Sequence, residues 1–157
     1  LCSKVLGGTR RRYASIGDIF VARVAGNIEN TDILGSFEFA TKVKGTKLIV
    51  VMGHSSCGAV KAACDDFKDG HIGEIINLIK PSIRHEKTVT DPAKRNSTNA
   101  DFVEKINVLN VRHQIDTIVR QSDIVDDMLE SKKIGIVGAV YDLATGRVNF
   151  LEDTFIG

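Results

Sequence analysis

The sequence predicts an α/β protein with a mostly parallel central sheet, flanked by helices and ending in an antiparallel edge strand. Short apolar runs rich in β-branched residues alternate with longer segments of helical periodicity. One run, residues 134–141, has almost no charge, as expected for a strand in the middle of a parallel sheet. A turn at residues 142–146 and a further apolar run at 147–151 then predict an antiparallel partner.

The first predicted elements are a strand at residues 19–24, a turn at 27–30 and a helix from residue 31 or 32 to 43. Gly45 is expected to end that helix, because glycine readily adopts the conformation that follows a helix. The remaining elements before the final hairpin are a strand at residues 47–52 and helices at 59–64, 74–79, 99 or 101 to 121, and 122–129.

Local signals set several of these boundaries. The helix at residues 74–79 is expected to end near Pro81, because proline disrupts a helix interior. Ser122 is expected to cap the helix that follows it. The polar stretch at residues 88–99 predicts a surface loop without a domain boundary, because a helix resumes at once.

The longest predicted helix has an apolar face at near-helical spacing, which predicts core packing. Its members are Phe102, Ile106, Leu109, Ile115, Ile118 and Val119.

Composition predicts one domain, residues 1–157, and limits the classes of partner. A net charge of +1 gives no electrostatic reason for a nucleic-acid partner. No apolar run approaches the roughly 20 residues of a membrane span. Three cysteines, an odd number, argue against a disulfide framework and predict a reducing, cytoplasmic setting. Because the chain begins with Leu1, the natural protein is expected to extend upstream.

A His-x-x-Cys pair, His54 and Cys57, lies between an apolar strand and a helix. Imidazole and thiolate at this spacing can bind one cation, for which zinc is the usual choice. The start of a helix also favours a thiolate, because unpaired backbone N–H groups point toward it. Two ligands rarely hold zinc, so a third is needed, and a vacant fourth position makes such a site catalytic.

Few residues are candidates for the third ligand. Cys64 lies two helical turns after Cys57, roughly 10 Å away, which is too far to share one ion and favours a core role. His71 and His85 lie in polar stretches and are expected at the surface, and His113 is expected to be an ordinary helix residue. Cys2 remains, because it is far enough away in sequence to come from a neighbouring strand.

Four segments in matching order resemble the β-class carbonic anhydrases. Residues 17–27 (GDIFVARVAGN) resemble the family segment GD-x-F-x-x-R-x-A-G-N, and residues 32–40 resemble its next helix. Residues 53–60 (GHSSCGAV) match the second metal motif, and residues 138–148 resemble the closing strand-turn-strand. The resemblance covers about residues 17–151.

The resemblance implies a single β-carbonic-anhydrase-like domain and a zinc-dependent lyase. This enzyme would interconvert carbon dioxide and bicarbonate through a metal-bound hydroxide. It implies that Cys2, His54 and Cys57 hold the zinc, with the backbone of Gly58 nearby. It further implies a homodimer or homotetramer acting on a small-molecule substrate. The net charge of +1 separately predicts neither a nucleic-acid nor a membrane partner.

The chain departs from the family at its first metal motif, C-x-D-x-R. Lys4 stands in the place of the aspartate, and Val5 and Leu6 lie where arginine is expected. One arginine of residues 10–12 is a candidate substitute, although such a run is more often a solvated patch. Because loss of an outer-shell partner costs about 10–100-fold in metal affinity or activity, impaired or altered activity is the alternative prediction. A third hypothesis is an α/β binding module without a metal.

Overall fold

A three-stranded mixed sheet positions the His-x-x-Cys segment. The computed structural model describes the backbone of residues 2–6 and 19–157 and the side chains of residues 20–157. In this sheet β3 (Leu48–His54) pairs in parallel with β4 (Gly135–Tyr141), which pairs antiparallel with β5 (Val148–Ile156). The predicted α/β fold with helices around a sheet and an antiparallel edge strand is therefore confirmed, and the described sheet is mixed.

Two further strands form a separate antiparallel pair. Strand β1 (Cys2–Leu6) pairs with β2 (Ile19–Ala22), and the register places Cys2 opposite Ala22. A 3₁₀ turn (Ala25–Asn27) follows β2 and contacts β3. Residues 7–18, including the arginines at 10–12 and the Gly17-Asp18 pair, lie outside the described residues, as do the side chains of Cys2 and Lys4.

Five α-helices pack around these strands in the described residues. They are α1 (Thr31–Glu38), which continues through a π-helical turn (Phe39–Val43), α2 (Gly58–Cys64), α3 (Ile72–His85), α4 (Ala100–Gln121) and α5 (Asp123–Glu130). No helix in the described ranges combines the length and apolar character needed to cross a membrane.

Helix α4 connects two apolar clusters. Its second half, including Val111 and Ile115, packs on Ile49 and Val51 of β3. Its first half, including Phe102, packs on α2 and α3. Because side chains alternate along a strand, β3 buries Ile49, Val51 and Gly53 on the α4 side. The N-terminal half of α4 consequently lies beside the end of β3.

The predicted caps are confirmed. The Ser122 hydroxyl accepts a hydrogen bond of 3.2 Å from the Val125 amide at the start of α5. Gly45 follows the extended α1 with φ +76°, a left-handed conformation that glycine adopts without strain.

Two predicted boundaries were wrong. Helix α3 begins at Ile72 and passes through Pro81 to His85. Burial of Ile76, Ile79 and Ser82 on the packed side of α3 stabilises the helix on both sides of the proline. Strand β5 continues to Ile156 because it pairs with β4 as far as Ile136.

The predicted apolar face of α4 is confirmed only in part. Phe102, Ile106, Ile115 and Ile118 are buried, whereas Leu109 and Val119 are half-buried. The buried face also contains polar residues that the hydrophobic pattern did not identify: Asn107, Asn110, Gln114 and Thr117.

Candidate metal centre

His54 is the last residue of β3 and lies at the carboxyl end of the parallel pair, where ligands of α/β sheets gather. Its Nδ1 lies 3.0 Å from the carbonyl oxygen of Ser55. Because a carbonyl oxygen only accepts hydrogen bonds, Nδ1 carries a proton, and in the neutral ring Nε2 is then the nitrogen with the free lone pair. This is the arrangement of a metal-binding histidine, in which a backbone acceptor fixes the tautomer and the ring orientation.

Cys57 occupies the position directly before α2 and is 4% exposed. Its side chain makes no capping hydrogen bond to the helix, although this position usually carries a capping side chain. It packs among the apolar residues between α2 and α3. The thiol is therefore held at the helix start without a structural hydrogen bond to the helix.

The turn between His54 and Cys57 is fixed by contacts from β4 and the segment after it. The Ser55 amide donates to the Tyr141 carbonyl at 2.9 Å. The Ser55 hydroxyl accepts from the Leu143 amide at 3.0 Å. This serine therefore has a structural role in joining the two strand ends.

Helix α4 also contacts this turn, through two of its side chains. Ser56 has φ +57°, a left-handed conformation that costs a non-glycine residue roughly 1–2 kcal/mol. Its amide donates to Glu104 Oε1 at 2.8 Å. One turn further along α4, Asn107 Nδ2 donates to the His54 carbonyl oxygen at 2.8 Å.

The hypothesis that Cys2 is the third ligand stays a prediction, because its side chain lies outside the described residues. Among the described side chains, no three His, Cys, Asp or Glu groups converge in a way that could hold a metal ion. His54 and Cys57 therefore stay predicted ligands, and a metal centre built on them would need a third donor from outside the described side chains.

Gly58, predicted near the centre, is the first residue of α2. A Cβ built there would meet no atom within 4 Å. The packing of the described chain therefore does not require glycine at this position.

The remaining histidines and Cys64 lie where they were expected. His71 is exposed and pairs with Glu74 at 3.2 Å, and His85 is exposed at the end of α3. His113 is half-buried, and its ring meets that of His85 edge to face with centroids 6.3 Å apart. Burial raises the pKa of the Cys64 thiol to about 12, and the neighbouring Asp65 carboxylate adds to this rise.

Sequence reasoning did not identify Glu104 and Asn107. They lie roughly 50 positions beyond the turn that they contact, so no local motif connects them to it. The available signal was a pair of polar residues, three positions apart, beside the apolar face of a long helix.

Comparison with known proteins identifies the family. A family model described as carbonic anhydrase matches residues 12–148, most of the chain. The β-carbonic anhydrase of Coccomyxa, solved in complex with acetazolamide, superposes with a TM-score of 0.69. This chain belongs to the β-carbonic anhydrase family. The Coccomyxa enzyme is 26% identical to it, and the match covers 84% of this chain and 60% of that one.

Other relatives lead to the same family. Carbonic anhydrase 2 of Mycobacterium tuberculosis is 30% identical over 140 residues, which cover 84% of this chain and 62% of the relative. The present chain therefore spans about three fifths of that relative's length. One of two tetrameric β-carbonic anhydrases from Sordaria macrospora superposes with a TM-score of 0.67 and 24% identity, covering 81% of this chain and 64% of that one.

Proposed function

We propose that this member of the β-carbonic anhydrase family catalyses the zinc-dependent, reversible hydration of carbon dioxide to bicarbonate. The observation that carries the proposal is the placement of two potential ligands in one turn: His54, whose Nδ1–H donates to the Ser55 carbonyl, ends β3, and Cys57 directly precedes α2. This pairing presents an imidazole lone pair and a thiol three residues apart, in a chain whose family is carbonic anhydrase. The alternative of a binding module unrelated to this family loses its support.

The donor set fits zinc. Two cysteine sulfurs and one histidine nitrogen are a known catalytic set for this ion, with the fourth position left open. We propose Cys2, His54 and Cys57 as the ligands. The backbone supports Cys2, because its partner Ala22 ends β2 three residues before the 3₁₀ turn that contacts both β3 and α2.

The chemistry that a zinc ion supplies in such a set is a hydroxide nucleophile at neutral pH, because the ion lowers the pKa of its water to about 7. The residues of this chain would orient the ligands and favour negative charge at the centre. The Ser55 carbonyl holds the tautomer of His54. Cys57 directly precedes α2 and Gly58 begins it, so the first backbone amides of this helix would favour negative charge at a centre that includes Cys57.

A second candidate is a family member that keeps the fold and the zinc but has impaired or altered activity. The observation that favours it is Lys4, which replaces the aspartate of the family's first motif. Without an acidic partner, the water at the centre loses a hydrogen-bond acceptor that would orient it. A lysine in its place would add a positive charge.

We also propose that the chain assembles as a homodimer or homotetramer. Leu48, Val50 and Met52 lie on the face of β3 that points away from α4, and they are 46%, 40% and 47% exposed. Apolar side chains grouped in this way are typical of surfaces that a partner buries. Sedimentation velocity should show a dimer or tetramer, and a monomer at all concentrations would contradict this assignment.

The test of function combines metal analysis with a rapid assay. Purified wild type should contain one zinc per chain and hydrate carbon dioxide in stopped flow. Cys57→Ser should lose both properties, whereas Cys64→Ser, which removes a thiol from the other end of α2, should keep both. Zinc-free wild type with full hydration activity would overturn the mechanism.

The same assay separates the two candidates. Lys4→Asp should leave activity nearly unchanged if the first candidate is correct. If the second is correct, wild type should bind zinc but hydrate carbon dioxide poorly, and Lys4→Asp should raise the rate by 10-fold or more.

A further inference from the structure

Ser56 lies between His54 and Cys57, directly before the cysteine, and has a backbone conformation that serine rarely adopts. Its φ of +57° lies in the left-handed region and sets the direction of the backbone between the two predicted ligands. Left-handed residues of this kind persist only where the surroundings hold them, and they are concentrated at functional sites. In this turn, the hydrogen bond from the Ser56 amide to Glu104 Oε1, at 2.8 Å, provides that hold.

Asn107 holds the neighbouring backbone. It is completely buried, and its Nδ2 donates to the His54 carbonyl oxygen at 2.8 Å. The same Nδ2 lies 3.5 Å from Glu104 Oε2, which connects the two side chains into one unit.

The fit of Asn107 against β3 is tight. A Cβ at Gly53 would lie 2.6 Å from Asn107 Oδ1, closer than such atoms approach in proteins. Within the described residues, Asn107 Oδ1 has no hydrogen-bond partner. The side-chain amide of Asn107 therefore packs tightly against β3. Its Nδ2 donates to the His54 carbonyl, whereas its Oδ1 accepts no hydrogen bond from the described residues.

Both side chains bond to the main chain of the segment that carries His54 and Cys57. A carboxylate that accepts a backbone N–H makes a charge-assisted hydrogen bond, which is stronger than a neutral one. A buried amide whose oxygen has no hydrogen-bond partner lowers the stability of the fold. The bond from its nitrogen to the His54 carbonyl offsets part of that cost.

We infer that Glu104 and Asn107 are positioning residues that set the geometry of the metal centre. Glu104 holds Ser56 in its left-handed conformation, and Asn107 fixes the backbone of His54. Together they would fix the backbone from which His54 and Cys57 could bind one ion. This inference rests on the proposed function, because it assumes that His54 and Cys57 bind zinc.

The test measures zinc affinity directly, by competition between the protein and a chromophoric chelator for added Zn²⁺. Glu104→Ala and Asn107→Ala should each weaken zinc binding by about 10–100-fold. Glu104→Gln keeps an oxygen acceptor for the Ser56 amide and should recover most of the loss. Asp116→Ala removes a carboxylate from the same helix about 18 Å further along and should bind zinc like wild type.

A second variant tests the role of the backbone conformation. Glycine adopts positive φ without strain, so Ser56→Gly needs less help from Glu104. The double variant Ser56→Gly/Glu104→Ala should therefore bind zinc more tightly than Glu104→Ala alone. If the double variant instead binds zinc as weakly as the summed losses of Ser56→Gly and Glu104→Ala, Glu104 does not act by stabilising the left-handed conformation of Ser56.

Two further measurements separate positioning from general stability. The visible spectrum of the Co²⁺-substituted protein should change in Glu104→Ala but not in Asp116→Ala, because the spectrum reports ligand geometry. Urea unfolding of the metal-free proteins should give similar midpoints for Glu104→Ala and Asp116→Ala. A lowered midpoint with unchanged zinc affinity would show a purely structural role and overturn the inference.

The outcomes also distinguish this inference from the proposed function. If wild type binds zinc and the Glu104 and Asn107 variants bind it equally well, only the positioning role fails. If wild type binds no Zn²⁺ in the competition assay, the proposed function fails, and the positioning role fails with it.

Discussion

Arg95 donates a hydrogen bond of 2.7 Å from Nη1 to the carboxylate of Glu86, whose side chain is 2% exposed. Its guanidinium also donates to the carbonyl oxygens of Val89 and Ile83 and lies 4.9 Å above the ring of Phe102. One side chain therefore ties the connection between α3 and α4 to both helices. Through Arg95, the loop predicted at residues 88–99 is thus attached to the packed helices.

Replacing Arg95 with leucine should strongly destabilise the chain. The substitution leaves the Glu86 carboxylate buried without its cation, and breaking a buried pair in this way costs about 3–5 kcal/mol. Urea unfolding should show this loss for Arg95→Leu. The matched change at the exposed neighbour, Lys94→Leu, should stay within about 0.5 kcal/mol of wild type. Equal effects of the two substitutions would contradict the role of the ion pair.

Glu86 should make stability depend on pH in the acid range. Burial raises the pKa of this carboxyl, but hydrogen bonds from Thr88, Val89 and Arg95 outweigh burial and lower the pKa to about 2. The unfolded chain therefore binds the proton more readily, and stability falls as the pH drops from about 4.3 toward 2. Unfolding at pH 6 and pH 3 should show a smaller difference for Glu86→Gln than for wild type. Identical pH dependence in both proteins would exclude Glu86 as the source.

Gly53 should tolerate no side chain, unlike Gly35 on the exposed face of α1. A Cβ at Gly53 would lie 2.6 Å from Asn107 Oδ1 and 3.0 Å from Val111 Cγ2. Gly53→Ala should therefore cost about 1–3 kcal/mol through overpacking. A Cβ at Gly35 meets nothing within 4 Å, so Gly35→Ala should stabilise the helix by about 0.5–1 kcal/mol. Chemical unfolding of both variants measures the two effects, and a neutral Gly53→Ala would disprove the tight contact.

Cys64 should react slowly with alkylating reagents in the folded protein. With a pKa of about 12, roughly one Cys64 thiol in 10⁴ is ionised at pH 8, and only the thiolate is nucleophilic. Iodoacetamide labelling followed by peptide mass spectrometry should show Cys64 protected in buffer and reactive in urea. Equally fast labelling in both conditions would show that its burial does not control reactivity.

The sequence predicted the features that depend on local signals. Ser122 caps α5 as predicted, because capping depends on a few adjacent residues. His54 and Cys57 were predicted as metal ligands because three positions separate them, and that assignment stays a prediction. Pro81 misled the prediction because packing of α3 overrode a local propensity.

The polar contacts of α4 could not be predicted in the same way. Gln114 accepts a hydrogen bond from the Glu29 amide at 2.8 Å, and Asn110 donates to the Gly26 carbonyl at 2.7 Å. These partners lie more than 80 positions apart, and hydrophobic periodicity assigns polar residues to the solvent side. Glu104 and Asn107 went unrecognised for the same reason, since their partners lie on another element.

Removing zinc should lower the thermal stability of the protein. The effect should be absent from variants that lack one of the proposed ligands. A ligand that binds the folded state alone stabilises it by about 4.1 kcal/mol at 1,000 times its Kd. For a chain of this size, each 1 kcal/mol corresponds to roughly 2–4 °C in Tm. Calorimetry with and without chelator should therefore show a fall in Tm of about 8–16 °C for wild type and for Cys64→Ser.

Cys57→Ser and Cys2→Ser should melt at the same temperature in both conditions, because each lacks one of the three donors. A chelator effect that persists in Cys2→Ser would remove Cys2 from the ligand set while leaving His54 and Cys57 in place.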